Sequence, residues 1–135
     1  MGRGTVAVAA RSVSARQVAG VAAFANGQNA ELRVAERYEQ QGYEILARRW
    51  RGKAGEIDLI ARHDGDFIFI EVKRADTRDM AAERLSRRQM DRICLAACEF
   101  CATQPMGQAA GMRFDAALVD GSGMIDIIEN AFGGH

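Results

Sequence analysis

The chain has 135 residues, and its 18 lysine and arginine residues balance 18 aspartate and glutamate residues, so the formal net charge is zero. That length suits one domain with a single sizeable core. No apolar run approaches the roughly 20 residues that a membrane helix needs, and a single proline argues against a disordered chain, so we expect a globular domain and no membrane partner.

The first 25 residues are rich in alanine, valine and serine and contain no acidic residue. They lack the long apolar stretch of a secretory signal. We therefore predict a flexible or weakly structured tail over 1–25 and a single domain over 26–135.

Hydrophobic spacing predicts the element order α-β-β-β-α-β-β. The predicted elements are a helix over 27–42, strands over 43–50, 56–62 and 67–73, a long helix over 80–103, and strands over 112–119 and 124–128. Gly42 supplies the first helix stop, and Asp64-Gly65 is a hairpin turn signal. This order implies an α/β fold with a mixed central sheet flanked by helices.

The three cysteines, Cys94, Cys98 and Cys101, lie in the long predicted helix at i, i+4 and i+7. That spacing places them on one helix face and favours small buried side chains over a thiolate metal site, which would need a fourth ligand. They form no disulfide framework, so we expect a reducing compartment and a cytoplasmic protein.

The third strand carries charged residues on an apolar face. Its side chains alternate, with Phe67, Phe69, Glu71 and Lys73 on one face and Ile68, Ile70 and Val72 on the other. A carboxylate and an ammonium beside two phenylalanines are costly unless they pair with each other or hold a ligand.

The second strand adds further carboxylates. Glu56 and Asp58 are predicted to share one face, with Ile57 and Leu59 on the other. A hairpin would bring Asp58 close to Glu71, and two such carboxylates repel each other unless one keeps a proton or a cation binds. Oxygen ligands without histidine or cysteine favour Mg²⁺ or Mn²⁺ over Zn²⁺.

Glu31 lies beside the apolar stripe of the first predicted helix. Three interpretations are open: a further ligand, a partner that orients Lys73, or a side chain that extends to the helix edge.

These motifs resemble a known nuclease pattern. Asp58 followed by Glu71-Val72-Lys73 resembles the D…(D/E)-x-K core of the PD-(D/E)XK nuclease superfamily. The strings Gly-Glu-Ile-Asp-Leu-Ile over 55–60 and Phe-Ile-Glu-Val-Lys over 69–73 resemble the YraN-like family of bacterial proteins, related by pattern to Holliday-junction resolvases. The resemblance covers roughly 27–132, although Arg88-Gln89 stands where a lysine-glutamine pair is usual.

The resemblance implies a restriction-endonuclease-like αβββαβ core and a metal-dependent catalytic site. By this resemblance, Asp58 and Glu71 bind the metal together with the Val72 carbonyl. Lys73 positions the attacking water. Glu31 completes the acidic cluster, and Glu56 assists. The implied cofactor is Mg²⁺ or Mn²⁺.

Basic residues suggest where a nucleic acid would bind. The candidate phosphate contacts are Arg48, Arg49, Arg51, Lys53, Arg74, Arg84 and Arg88. Trp50, within the first group, would stack on a base or pack in the core. Arg84, Arg88 and Arg92 are spaced as one helical stripe, which would track phosphates or form an ordinary solvated face.

We expect an endonuclease that hydrolyses phosphodiester bonds and acts on DNA rather than RNA. A more specific expectation is that it cuts branched or junction DNA. The alternative is a non-catalytic nucleic-acid-binding or scaffold protein that retains the fold. A third reading, an interaction module in which Glu71 and Lys73 merely pair, predicts no metal affinity.

Two expectations concern the carboxy-terminal strands. Cutting two strands would need a symmetric homodimer, with Ile125, Ile127 and Phe132 at its interface or else closing the core. Arg113 and Asp115 share a strand face, and we expect them to pair with neighbours and hold their strand at the sheet edge rather than to act in catalysis.

Overall fold

The computed structural model describes residues 29–105 and 111–131, so the predicted tail over 1–25 lies outside the described residues. The elements are α1 (29–40), β1 (Glu44–Arg51), β2 (Glu56–His63), β3 (Asp66–Arg74), α2 (Arg78–Glu83), α3 (Arg87–Ala102), β4 (Met112–Val119) and β5 (Ile125–Ile128). This order confirms the predicted α/β class with an αβββαβ core. In the described ranges, no helix has the length and apolar character to cross a membrane.

The strands form one mixed sheet in the order β1-β2-β3-β4-β5. β3 and β4 are parallel, and the other neighbouring pairs are antiparallel. Parallel neighbours need a crossover connection, which α2 and α3 provide. Since β4 lies between β3 and β5, the expectation that the strand of Arg113 and Asp115 forms the sheet edge is wrong.

Helices cover both faces of the sheet. α1 packs on one face through Val34, Ala35 and Tyr38, and α3 packs on the other through Ile93, Ala96, Ala97 and Phe100. The predicted alternation of β3 is confirmed, because Ile68 and Ile70 lie on the α1 side whereas Phe67 and Phe69 lie on the α3 side. Burial on both faces explains why β3 is an almost unbroken apolar run.

Two turn signals act as predicted. Gly42 has a φ of 92° and ends α1, and the N–H of Tyr43 donates to the Tyr38 carbonyl at 3.1 Å, as in a Schellman motif. Asp64 and Gly65 both have positive φ, 52° and 84°, as a type I′ hairpin requires. Both turns depend on conformations that glycine adopts without steric cost.

The prediction of one helix over 80–103 is wrong, because two helices occupy this region. The Thr77 side chain accepts the N–H of Met80 at the start of α2, and the Ser86 side chain accepts the N–H of Gln89 at the start of α3. Each hydroxyl satisfies a backbone donor that the first helical turn leaves free. A second cap inside the apolar pattern therefore starts a new helix.

Asp115 is fully buried and is held by four hydrogen bonds. Arg113 donates to it from Nε and Nη2, each at 2.8 Å, the Tyr38 hydroxyl donates at 2.7 Å, and the N–H of Asn130 donates at 3.0 Å. Burial and the neighbouring Asp115 charge raise the pKa of Tyr38. The predicted structural pairing is confirmed, and it joins α1, β4 and the segment after β5.

Two of the three residues considered for a dimer interface contact the core. Ile125 and Ile127 are partly buried against the cluster that α1 covers. Phe132 lies outside the described residues. For the two isoleucines, the structure favours closing the core.

The cysteines lie on α3 as predicted but are not equally buried. Cys101 is buried, Cys94 is half-buried and Cys98 is exposed. The expectation of one buried face is wrong for Cys98, because the core contacts of α3 cover a narrower stripe than the apolar spacing suggested.

Candidate active site

A cavity of about 360 Å³ contains every residue that was predicted for catalysis or metal binding. Its lining includes Glu31 from α1, Glu56 and Asp58 from β2, Glu71, Val72 and Lys73 from β3, and Gln89 and Arg92 from α3. Four elements separated in sequence thus converge on one cavity. Their chemical roles stay predictions.

Asp58 occupies the point where the β2–β3 ladder ends. The register runs from the hairpin turn to Leu59 opposite Ile70 and stops there. Asp58 Oδ2 instead accepts the backbone N–H of Val72 at 2.8 Å. A side-chain acceptor therefore replaces a ladder carbonyl, and this contact directs the Asp58 carboxylate toward the Glu71 side of the cavity.

β2 is irregular at the same position. Ile57 packs on the α3 side of the sheet and Leu59 on the α1 side, so the prediction that they share a face is wrong. The β1–β2 register skips Asp58 and Arg49, the residue across from it on β1, and Arg49 has a φ of 51°. The pairs on either side, Arg48 with Leu59 and Trp50 with Ile57, keep one register, so the break in alternation is confined to β2 around Asp58.

Glu71 is a buried carboxyl group with one unsatisfied oxygen. Its Oε2 accepts Gln89 Nε2 at 2.5 Å and lies 3.2 Å from Lys73 Nζ. Its Oε1 is buried and has no hydrogen-bond partner among the described residues. Burial, then the nearby Asp58 carboxylate, raise the pKa of Glu71 to about 8, although Lys73 opposes the shift. Without a cation, the carboxyl group therefore holds a proton near neutral pH.

Simple pairing of Glu71 with Lys73 is present but incomplete. The Lys73 side chain is 18% exposed and contacts only one carboxylate oxygen of Glu71 among its described neighbours. When Glu71 is ionised, a buried acceptor without a donor is unfavourable, and either a proton shared with Asp58 or a bound cation relieves it.

The donor set fits a hard divalent cation. Asp58 and Glu71 offer carboxylate oxygens, and the predicted third ligand, the Val72 carbonyl, belongs to a residue that lines the same cavity. Within 29–105 and 111–131, no group of three or more histidine, cysteine, aspartate or glutamate side chains is arranged to hold a metal ion. Any ion here would therefore depend on backbone or water oxygens besides the two carboxylates.

Glu31 and Glu56 line the cavity but are paired with arginine. Glu31 Oε1 accepts Arg49 Nε at 3.0 Å, and Glu56 Oε2 lies 3.6 Å from Arg51 Nη2. The interpretation that Glu31 orients Lys73 is thus not what the structure shows, because the partner of Glu31 is Arg49.

Sequence reasoning gave Gln89 no role in the site and placed Arg92 only in a possible phosphate-tracking stripe, yet both line the cavity. They lie three residues apart in the first turns of α3, and Gln89 donates directly to Glu71. The Ser-x-x-Gln pattern of 86–89 is a helix-start signal, and it would have placed Gln89 at a helix amino terminus. Assuming one continuous helix concealed that signal.

The basic residues before β2 are spread over the surface. Arg48, Arg49, Arg51 and Lys53 are exposed. Trp50 contacts Phe100 edge to face, with ring centroids 5.5 Å apart, and packs against the core. This packing favours the core interpretation of Trp50 over base stacking.

The remaining predicted phosphate contacts do not form one row. Arg84 caps the end of α2, whereas Arg88 and Arg92 belong to α3, so the predicted stripe is interrupted. Arg74 faces a second cavity of about 410 Å³ that Arg33 also lines. None of the seven predicted phosphate contacts is among the residues that line the cavity of Glu71.

A family model described as "Uncharacterised protein family UPF0102" matches residues 30–119. The chain belongs to the UPF0102 family. This is the YraN-like, PD-(D/E)XK nuclease-like group that the motifs indicated, so that resemblance is confirmed.

Curated UPF0102 proteins are similar along most of their length. A relative from Cereibacter sphaeroides (strain ATCC 17029) is 55% identical over 115 residues, which cover 85% of this chain and 98% of the relative. Another from Cereibacter sphaeroides (strain ATCC 17025) is 60% identical over 103 residues, 76% of this chain and 88% of the relative. A relative from Ruegeria pomeroyi is 53% identical over 107 residues, which cover 79% of this chain and 87% of the relative.

The UPF0102 match encloses the candidate site. Residues 30–119 include every residue that lines the cavity of Asp58 and Glu71. They exclude the predicted tail and β5. The site therefore belongs to the part of the chain that defines the family.

Proposed function

We propose that this chain is a Mg²⁺- or Mn²⁺-dependent endonuclease that hydrolyses phosphodiester bonds in DNA. One observation carries the proposal: Asp58 and Glu71 converge beside Lys73, and a buried Glu71 oxygen lacks any donor among the described groups. An ion pair that served only stability would be expected to satisfy both carboxylate oxygens. Perturbed carboxyl groups in a cleft are typical of functional sites.

In this proposal each residue has a distinct task. Asp58, Glu71 and the Val72 carbonyl hold the ion, and Gln89 fixes the orientation of Glu71 through its amide N–H. When bound, the ion supplies Lewis-acid activation of water and neutralises charge that develops on the phosphate. Lys73 positions the attacking water, since its ammonium lies within the cavity and carries three donors.

DNA is the proposed substrate, with branched or junction DNA as the specific form. The exposed Arg48, Arg51, Lys53 and Arg88 would contribute phosphate contacts that do not depend on sequence. A homodimer would supply the second site that symmetric cutting of a junction needs. We place the activity in the cytoplasm, where a reducing environment keeps the free cysteines as thiols.

The decisive experiment is calorimetric titration of Mn²⁺ into the parent, Asp58→Ala and Glu71→Ala proteins, followed by cleavage of four-way-junction, flap and linear DNA. We expect the parent to bind Mn²⁺ and cut DNA, and both variants to lose binding and cutting while they retain DNA affinity. Glu44→Ala is the matched control, because Glu44 is an exposed acid on β1 outside the cavity. A parent that binds no Mn²⁺, with or without DNA, would replace this proposal with the non-catalytic nucleic-acid-binding protein.

A further inference from the structure

Arg49 has an unusual backbone conformation for its place in the fold. It lies inside β1, yet its φ is 51°, in the left-handed region that residues with a Cβ rarely adopt. Such a conformation persists only where the surrounding structure enforces it, and it is often found at functional sites. The strain lies directly across from Asp58, at the pair that is missing between Arg48–Leu59 and Trp50–Ile57.

The Arg49 side chain pairs with one of the acids that line the cavity, Glu31. Its Nε donates to Glu31 Oε1 at 3.0 Å, and the charges of Glu56 and Asp58 also contribute to a raised pKa of the Arg49 guanidinium. The Arg49 side chain is 45% exposed and that of Glu31 is 22% exposed, so a ligand can reach the pair. Arg49 therefore acts as a counter-ion for Glu31 at the margin of the cavity, which Lys73 and Arg92 also line.

This pair joins two residues whose expected ligands differ. Glu31 would complete an acidic cluster for a cation, and Arg49 would contact a phosphate. In the structure the two side chains instead form an ion pair with each other. We propose that the Arg49–Glu31 ion pair is a substrate-responsive latch. A DNA phosphate takes over the Arg49 guanidinium, and the released Glu31 carboxylate joins the acids that attract the metal ion.

The exchange is chemically balanced. A guanidinium recognises carboxylate and phosphate oxygens with the same planar set of donors, so Arg49 changes partner without losing its ionic contact. Glu31 keeps the negative charge that it already carries but loses its arginine partner, so the cavity attracts a divalent cation more strongly. By linkage, DNA and metal must then each raise the affinity for the other. The inference rests on the proposed function, because it assumes that the protein binds both DNA and a divalent metal ion.

Two variants test the contributions of Arg49 and Glu31 separately. Arg49→Gly removes the guanidinium and suits the positive φ, so the fold is retained. Glu31→Gln removes the carboxylate charge. The matched control is Arg62→Ala, which breaks the Arg62–Glu44 ion pair at the other end of the same two strands.

The measurements are calorimetric titration of Mn²⁺ without DNA, and anisotropy titration of a labelled four-way junction in EDTA. We expect Arg49→Gly to tighten Mn²⁺ binding by about threefold or more and to weaken junction binding by a similar factor. Glu31→Gln should tighten junction binding and should not tighten Mn²⁺ binding. Adding Glu31→Gln to Arg49→Gly should abolish the gain in Mn²⁺ affinity, and Arg62→Ala should leave Mn²⁺ affinity unchanged.

The signs of these effects decide between a latch and a structural ion pair. A structural pair predicts that both variants melt at lower temperature and that neither gains affinity for either ligand, which would overturn the latch. If the parent still binds Mn²⁺ and Asp58→Ala does not, the proposed function survives that outcome. If no variant and no parent sample binds Mn²⁺, both the latch and the proposed function are wrong.

Discussion

The carboxylate of Asp58 accepts the backbone N–H of Val72 at 2.8 Å, just beyond Leu59 and Ile70, the last β2–β3 pair. The contact holds together two strands where their ladder ends, and it places Asp58 beside Glu71. Asp58 thus has a structural task in addition to its proposed role as a metal ligand. Substitutions that preserve one task and remove the other can distinguish them.

Asp58→Asn should keep the fold and lose the metal. The asparagine oxygen still accepts the Val72 N–H, but the negative charge is gone, so we expect Mn²⁺ affinity to fall by more than about tenfold. Asp58→Ala also leaves the N–H without an acceptor, and its free energy of unfolding should drop by about 1–2 kcal/mol more than that of Asp58→Asn. Urea denaturation and Mn²⁺ calorimetry test both variants, and equal stability of the two would contradict the structural task.

The stability of the protein should depend on pH through Glu71. Its pKa of about 8 lies above the ordinary value of 4.5, so the folded state binds the proton more tightly than the unfolded chain does. Below about pH 4.5 Glu71 is protonated in both states and does not change the free energy of unfolding. As the pH rises from there toward 8, Glu71 lowers the free energy of unfolding progressively. Glu71→Gln resembles the protonated carboxyl group and removes this loss.

We expect Glu71→Gln to be more stable than the parent at pH 9 by on the order of a few kcal/mol, with the difference closing toward pH 5. Thermal denaturation in EDTA across that range measures the effect without a divalent cation. Glu44→Gln is the control, because Glu44 is exposed on β1. A stability difference that stays constant with pH would show that the Glu71 carboxyl group ionises normally.

Gln89→Ala should impair turnover without preventing folding. The substitution removes the amide that holds Glu71 Oε2, so the carboxylate loses its fixed orientation. Partners that orient metal ligands are typically worth about 10- to 100-fold in affinity or activity. Single-turnover cleavage of junction DNA and Mn²⁺ titration provide the measurements, and Gln40→Ala, at the exposed end of α1, is the control. Unchanged rates in Gln89→Ala would remove Gln89 from the site.

Asp115→Ala should be the most destabilising of these substitutions. It leaves the half-buried Arg113 and the buried Tyr38 hydroxyl without their carboxylate partner. Loss of one member of a buried ion pair costs about 3–5 kcal/mol, and the partial exposure of Arg113 favours the lower end. Urea denaturation measures this loss, and Asp126→Ala, in an exposed pair with Arg78, should change stability little. Similar losses in both variants would contradict the structural role of Asp115.

Features that depend on near neighbours were predictable. The alternation of β3 separates Phe69 from Ile70 because successive side chains of a strand point to opposite faces. The Asp64-Gly65 turn and the Gly42 stop depend on φ values that a few residue types adopt at low cost. The motif of Asp58, Glu71 and Lys73 identified both the family and the acids of the cavity.

Two features were not predictable from apolar spacing alone. Apolar spacing continues through 80–103, yet Ser86 starts a second helix, and Ala81 packs on Ala116 and Leu118 of β4. Apolar spacing alone does not show where one helix ends and the next begins, whereas the Ser86-x-x-Gln89 pattern does. Ile57 likewise lies on the face opposite Leu59, against the strict alternation that the sequence predicted.

The amino-acid sequence by itself determined which residues carry charge and which face of β3 they occupy, because side-chain direction in a strand is a local property. Only the tertiary structure decided that Gln89 contacts Glu71 and that Arg49 contacts Glu31, since each contact joins elements 18 residues apart. It also decided the high pKa of Glu71, because the loss of solvent around a carboxyl group arises only when the helices and the sheet pack together.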